Sequence, residues 1–221
     1  MRILCGIVPA IIFLSMLADG CTPTPKSQSR LSRKDSIRIV EEVLNHRKEV
    51  DDDFRNNPDS PFNLDSSIRF DGIKWFPPDV NFHFLSRLFR YQTPETVTVY
   101  GTKGEPRKQL RFGYFELPLN GNLLRMNVYK FTPSDSTRYR LYKDNLSVWF
   151  TDATTGKETY NVGRYIDVGD QKDDPMYLYV IDFNNAYNPY CAYSARYSCA
   201  IPPKEDHFDF PIRAGEMKYH E

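Results

Sequence analysis

Leu110-Arg111-Phe112-Gly113-Tyr114, then Asn120-Gly121-Asn122, then Leu124-Arg125-Met126-Asn127-Val128: apolar side chains recur at every second residue on both sides of an Asn-Gly-Asn turn. A period of two puts those side chains on one face of an extended strand, and glycine between asparagines supplies the backbone conformations a tight hairpin needs. The same period starts near Arg69 and continues outward from this hairpin. Phe82, Phe84 and Leu88 share a face, Thr96 to Tyr100 forms a further segment, and Gly101 to Pro106 has turn chemistry. Leu146 to Asp152 and Glu158 to Val168 flank Ala153-Thr154-Thr155-Gly156, which reads as another hairpin. Met176 to Phe183 is an almost continuous apolar run that suits a central strand. About eight strands are predicted, making a mainly β, antiparallel sandwich or partly open barrel.

The helical signal lies upstream. Ser32 with Asp35 three residues on reads as a capping box, and Ile37, Val40 and Leu44, with Val43 and Val50 beside them, follow at helical spacing. One long N-terminal helix is predicted from Ser32 to Asn56, where Asn57-Pro58 stops it. Asp51-Asp52-Asp53 sits near its carboxyl end, opposed by the helix dipole, and is expected to be solvated.

The first residues read as an address. After Arg2, the uncharged run Ile3 to Ala18 is shorter than a membrane-spanning helix needs and fits a signal peptide over residues 1–20. It ends in Leu17-Ala18-Asp19-Gly20-Cys21, which resembles the lipobox of bacterial lipoproteins, with Asp19 an unusual member. Acylation of Cys21 would tether the mature chain through several acyl chains, each buried CH2 contributing ~0.8 kcal/mol. Cleavage as an ordinary secreted protein is the alternative. Thr22-Pro23-Thr24-Pro25-Lys26-Ser27-Gln28-Ser29 has no apolar anchor, so residues 21–31 read as a flexible tether and 32–221 as a single globular domain. The expected location is the bacterial cell envelope, lipid-anchored on the outer membrane.

Composition narrows the partners. With 29 Lys+Arg against 29 Asp+Glu in 221 residues, and no basic stripe, a nucleic-acid-binding face is excluded. Fifteen Tyr and fifteen Phe supply ample core without a framework of disulfides. No Gly-x-Ser-x-Gly elbow, His-Glu-x-x-His helix or phosphate-cradling glycine loop is present, and no cofactor is expected.

Four stretches carry a family resemblance. They are Thr155-Gly156-x-x-Thr159-Tyr160-x-x-Gly163-Arg164-Tyr165, Asp182-Phe183-Asn184-Asn185-Ala186-Tyr187-Asn188-Pro189-x-Cys191-Ala192-Tyr193, Cys199-x-x-Pro202-Pro203-x-Glu205, and Pro211-Ile212-Arg213-Ala214-Gly215-Glu216. Together with His46-Arg47, Phe54, Ser60-Pro61 and Trp75-Phe76-Pro77-Pro78, they make the chain resemble the bacterial family called domain of unknown function 1684, for which no activity is established. Where that family usually reads Glu-Asn-Arg, this chain has Glu205-Asp206-His207.

Several residues are candidates for chemistry. Cys191 and Cys199 in an exported chain read first as a short-loop disulfide, worth roughly 2.5 kcal/mol. Zinc held with His207 and Glu205 is the rival, although the Cys-x7-Cys spacing is not a zinc knuckle, and a Cys191 nucleophile has no local support. No metal is assigned, and Asp182-x-Asn184-Asn185 lacks the glycine and ligands of a calcium loop. Arg164, Asp167, Asp182, Asn184, Tyr187, Asn188, Arg213 and Glu216 are candidates for a polar pocket walled by aromatics, taking a small molecule or a sugar. The favoured alternative is a structural network in which Arg164 and Arg213 pair with Asp182 and Glu216 and pin the tyrosine-rich loop. A binding or scaffolding module is therefore expected. The enzymatic alternative is a hydrolase using Asp182 or Glu205 as general acid/base, and a protein-interaction role predicts an exposed aromatic patch on the loop.

Overall fold

The structure, a computed structural model, describes residues 31–119 and 121–220; the expected signal peptide, Cys21 and the expected tether up to Arg30 lie outside the described residues. Helix α1 (Arg33–Asn56) starts where expected: Ser32 Oγ accepts the Asp35 amide at 3.1 Å. Its buried stripe is Ile39, Val43, Arg47 and Phe54, while Ile37 and Leu44 are half exposed, so the helix is rotated relative to the Ile37–Val40–Leu44 face. The reason is Arg47, which donates to the carbonyls of Phe76 at 2.8 Å and Asn184 at 2.9 Å and stacks on Trp75. The acidic run is mostly solvated as expected, except that Asp51 accepts the Ile73 amide at 3.1 Å.

A short helix α2 (Pro61–Leu64) leads to β1 (His83–Ser86), β2 (Phe89–Tyr100), β3 (Pro106–Leu119) and β4 (Asn122–Phe131). Helix α3 (Ser136–Tyr142), β5 (Asn145–Asp152), β6 (Arg164–Asp170), β7 (Tyr179–Asp182) and β8 (His207–Phe208) follow. Strands β2-β3-β4-β5-β6 form an open antiparallel sheet, with β8 added in parallel against β5. The hairpin that sets the meander pairs Tyr114 with Asn127 and Leu117 with Leu124 across the Gly121 turn. The mainly β architecture with one long N-terminal helix stands as read, and the sheet does not close into a barrel.

Two segments depart from expectation. The Met176–Phe183 run is not a central strand: only Tyr179–Asp182 is extended, as β7 in a two-stranded ribbon with β1. Tyr179, Ile181 and Phe183 are buried, whereas Met176, Leu178 and Val180 are exposed, so the run is one-sided. Residues between β5 and β6 form a turn-rich excursion rather than a tight hairpin, because Asp152 and Thr154 gather its backbone locally.

The main core lies between one sheet face, the β1–β7 ribbon and the C-terminal segment, and includes Phe84, Phe115, Phe150, Phe183 and Ile212. A second cluster of Phe54, Phe62, Ala192 and Tyr193 joins α1 and α2 to the tyrosine-rich segment after β7, here called the cap. Among the described residues no helix is long and apolar enough to cross a membrane.

One buried ion pair ties these parts together. Arg164, 1% exposed, donates to Asp152 Oδ2 at 2.8 Å, to the Ile212 carbonyl at 2.8 Å and to the Ala214 carbonyl. Asp152 Oδ1 accepts from the Thr154 amide, the Thr154 hydroxyl and the Ile212 amide. The expected partners Asp182 and Glu216 are thus replaced by Asp152, and Arg213 pairs instead with Glu158 at 2.9 Å on the surface. The pairing follows from β5 and β6 being sheet neighbours: Arg164 lies opposite Phe150, and Asp152, two residues on along β5, is its diagonal neighbour. Removing one member leaves a buried uncompensated charge, so Arg164→Met is expected to cost about 3–5 kcal/mol in urea unfolding. A loss below about 1 kcal/mol, typical of a surface pair, contradicts the keystone role.

Candidate functional site

The cap carries little regular structure. Prolines and short 3-10 turns at Phe183–Asn185 and Tyr190–Ala192 bend it back over α1. Its entry is fixed by a β-bridge in which Tyr165 and Tyr187 exchange amide-to-carbonyl bonds at 2.9 Å. Farther along, the Tyr165 hydroxyl donates to the Ala200 carbonyl at 2.6 Å, tying the cap's return to β6. Tyr193 is locked in the second core, with its ring 5.4 Å from Phe54.

Between this cap and α1 runs a cleft of about 1120 Å³. Its walls include Trp75, Tyr165, Tyr187, Tyr190 and Tyr197, and α1 contributes His46, Glu49, Val50 and Asp53. A smaller lobe of about 350 Å³ continues it over β5 and β6 and shares Arg138, Tyr165, Asp167, Tyr187 and Cys199.

Glu216 forms the floor. Its backbone pairs with Trp75, its amide donates to the Ala186 carbonyl at 2.8 Å, and its side chain is fully buried. Oε2 accepts the Asn188 amide at 2.8 Å and the Tyr193 hydroxyl at 2.5 Å. Oε1 is buried and has no hydrogen-bond partner. Burial pushes this carboxyl up to about 7, against the bonds from Tyr193 and Asn188 and the attraction of Arg164. Burial likewise raises the Tyr193 hydroxyl far above its ordinary value.

Gly215 makes this placement possible. Its φ of 80° is left-handed, and a Cβ there would lie 2.5 Å from the Ala186 carbonyl oxygen and 2.7 Å from that of Phe183. Only glycine lets the C-terminal segment run this close beneath the cap.

Cys191 and Cys199 carry free thiols in the structure and lie side by side: the Cys191 amide approaches Cys199 Sγ at 3.3 Å. The Cys199 thiol donates toward Cys191 and lowers it to about 6, while Cys199 itself is raised. Tyr160 donates to the Cys191 carbonyl at 3.1 Å. Among the described residues no three His, Cys, Asp or Glu side chains are grouped to hold a metal ion.

Of the sequence candidates, Asp167, Tyr187 and Glu216 meet at the cleft, with Asn188 supporting Glu216 from behind. The others do not. Asp182 receives His83 at 3.0 Å and both nitrogens of Asn184, and Asn184 in turn holds the Asp79 backbone. Glu205 lies at the surface and pairs with Arg111 at 3.0 Å, and Arg164 and Arg213 are engaged as described. Neither hydrolase candidate therefore reaches the cleft. Asp206 is buried and accepts from Asn127 at 2.8 Å and Tyr129 at 2.6 Å. Missed from sequence were Glu49 and Asp53, although His46, Glu49, Val50 and Asp53 recur at i, i+3, i+4, i+7 and so share one helix face.

A family profile described as protein of unknown function (DUF1684) matches residues 68–217. Among solved structures, the solution NMR structure of the uncharacterized protein from gene locus rrnAC0354 of Haloarcula marismortui is similar. It has a TM-score of 0.60 at 26% identity, covering 84% of this chain and 97% of that one. No curated protein matches.

The buried acid has a thermodynamic signature. Between its ordinary 4.5 and about 7, folded Glu216 holds a proton that the unfolded chain releases, so stability falls as pH rises through that window and levels off above it. The expected loss is on the order of 3 kcal/mol. Glu216→Gln should remove that slope relative to wild type in urea unfolding at successive pH values; buried Asp206 is common to both proteins and cancels. Parallel curves would show that Glu216 is ionised throughout.

Proposed function

We propose, for a chain that belongs to the family described as protein of unknown function (DUF1684), that its folded part is a small-molecule binding module held at a bacterial envelope membrane by a lipid on Cys21. The carrying observation is Glu216 Oε1: a buried acceptor without a partner at the floor of an aromatic-walled cleft. An unmet buried acceptor costs about 1–3 kcal/mol, which a ligand donor placed there would recover. Aromatic walls with few polar groups are the usual composition of such sites. The cleft is largely preorganised, since Tyr165, Asn188 and Tyr193 fix the cap from three sides, and little ordering cost is left for binding.

The anchor rests on the apolar run ending at Leu17-Ala18-Asp19-Gly20-Cys21 and on the proline-rich tether behind it. In an oxidising envelope the adjacent Cys191 and Cys199 would close a disulfide beside the cleft and stiffen the cap.

Cells fed radiolabelled palmitate should yield labelled wild-type protein and unlabelled Cys21→Ser, and unreduced peptide mapping of the same material should show residues 191 and 199 cross-linked. Unlabelled wild type rules out the anchor; two free thiols rule out the bridge. For binding, a thermal-shift panel of amines, sugars, amino acids and nucleosides should contain a class that stabilises wild type and not Glu49→Trp. That substitution fills the cleft from an exposed helix position. A panel without any such class counts against the binding module.

A further inference from the structure

We propose that the cleft recognises a small molecule through a protonated primary amine, the ammonium seated on Glu216 and its carbon chain lying between Trp75 and the tyrosines of the cap. This deepens the binding reading above and rests on it.

Three independent features converge on that chemistry. The first is the sense of the unpartnered atoms. Glu216 and Asn185 are lining residues of the main cleft and Gln109 of the smaller lobe, and each has a buried side-chain oxygen without a donor; of the two guanidiniums that attract Glu216, Arg47 and Arg164, each keeps one buried Nε–H unpartnered. An amide can be turned end for end, but a carboxylate has no donor to offer when ionised, so Glu216 is the fixed point. Whatever completes it must bring hydrogens.

The second is charge. Glu49, Asp53, Asp167 and Glu216 line the cleft against a single guanidinium, Arg138, which is already paired with Asp135 at 3.1 Å. Among the described residues, Glu49, Asp53 and Asp167 enter no ion pair; Asp53 accepts from Asn57, and Asp167 accepts the Gly169 amide. Arg47 on Trp75 and Arg164 beside Glu216 offset part of this charge at the floor, whereas the Glu49, Asp53 and Asp167 side is left negative and disfavours phosphates and carboxylates.

The third is the walls. Aromatic faces are electron-rich and attract cations. Trp75 already carries one: the Arg47 guanidinium lies 4.7 Å from its ring centre. The tyrosine rings beside it offer the same surface to an alkylammonium and cover its apolar chain. A sugar hydroxyl could donate to Glu216 but brings no charge, and a quaternary ammonium brings charge but no N–H.

Binding would be linked to protons. Around Glu216, Arg47 from α1 and Arg164 from β6 favour the charged form, Asp51 from α1 opposes it, and Tyr193 and Asn188 of the cap bond its other oxygen. His46 and Asp53 stand at the rim. Because the carboxyl titrates near pH 7, an ammonium arriving below that value displaces a proton and one arriving above it does not.

The test uses 1,4-diaminobutane against its neutral isostere 1,4-butanediol, with tetramethylammonium and glucose as further probes. Isothermal titration is run at about pH 6 and about pH 8 in buffers of different ionisation enthalpy. The diamine should bind about tenfold or more tighter than the diol, releasing a proton only at the lower pH. Glu216→Gln should weaken the diamine about tenfold and abolish the proton release. The double variant Glu49→Gln, Asp53→Asn, on an exposed helix face, should weaken it several-fold with a shallower salt dependence. Equal binding of diamine and diol, or unchanged diamine affinity in Glu216→Gln, overturns the amine inference. If glucose or another panel compound then binds and is blocked by Glu49→Trp, the binding module itself survives. If no compound binds, both readings fall.

Discussion

A guanidinium buried to 1% exposure, Arg164, is the constraint on which the rest of the structure depends. Taking it out of water is costly, and the cost is offset because Asp152 on the neighbouring strand pairs with it and two carbonyls of the C-terminal segment accept from its two terminal nitrogens, although its Nε–H stays unpartnered. Those carbonyls belong to Ile212 and Ala214, so the solvation of Arg164 and the position of residues 212–216 are one requirement. Once the segment is fixed there, Gly215 makes its close approach under Ala186, and Glu216 has nowhere to go but the base of the cleft. The site is thus a consequence of the core's electrostatics.

The second core works from the other side. Arg47 reaches across from α1 to the carbonyls of Phe76 and Asn184, and Phe54 packs against Tyr193. These contacts set the distance between helix and cap, and so the cleft's width. Tyr193 belongs to both systems: its ring is core, and its hydroxyl holds Glu216. Movement of α1 would therefore be felt at the carboxylate through Tyr193 as well as through the charges of Arg47 and Asp51.

Local rules made some of this readable in the sequence and left the rest hidden. The hairpin around Gly121 and the Ser32 cap depend on neighbours in the chain, and both occur as read. The buried face of α1 was not legible, because an arginine replaces an aliphatic residue there for the sake of carbonyls 29 and 137 residues away. The Met176–Phe183 run misleads for a similar reason: among the described residues β7 pairs as a strand with β1 alone, so half of an apolar stretch faces out. That Arg164 would pair with a carboxylate was expected, but its burial, unusual for an arginine, and its choice of Asp152 over Asp182 follow from β5 lying beside β6, which no spacing rule supplies. Asp167, Tyr187 and Glu216 were foreseen as polar candidates, whereas Glu49 and Asp53 looked like ordinary solvated helix charge.

A fold that buries Glu216 with one oxygen unmet gives up stability at neutral pH, and the attraction of Arg164 and Arg47 offsets only part of that loss, since the carboxyl is still pushed up to about 7. Glutamine in its place would keep the acceptor that Asn188 and Tyr193 use and carry no charge to desolvate. Retaining the acid makes physical sense where a charge is wanted at that point. The division of labour supports this. Trp75, Tyr165, Tyr187 and Glu216 lie within the residues matched by the family profile, whereas Glu49 and Asp53 lie outside it on α1. Glu216 at the floor is fully buried and Tyr165 packs against a buried cluster, so these cannot change cheaply. Glu49, exposed at the rim, can be altered with little effect on folding, so the helix is where affinity and charge preference can be tuned while the site keeps its shape.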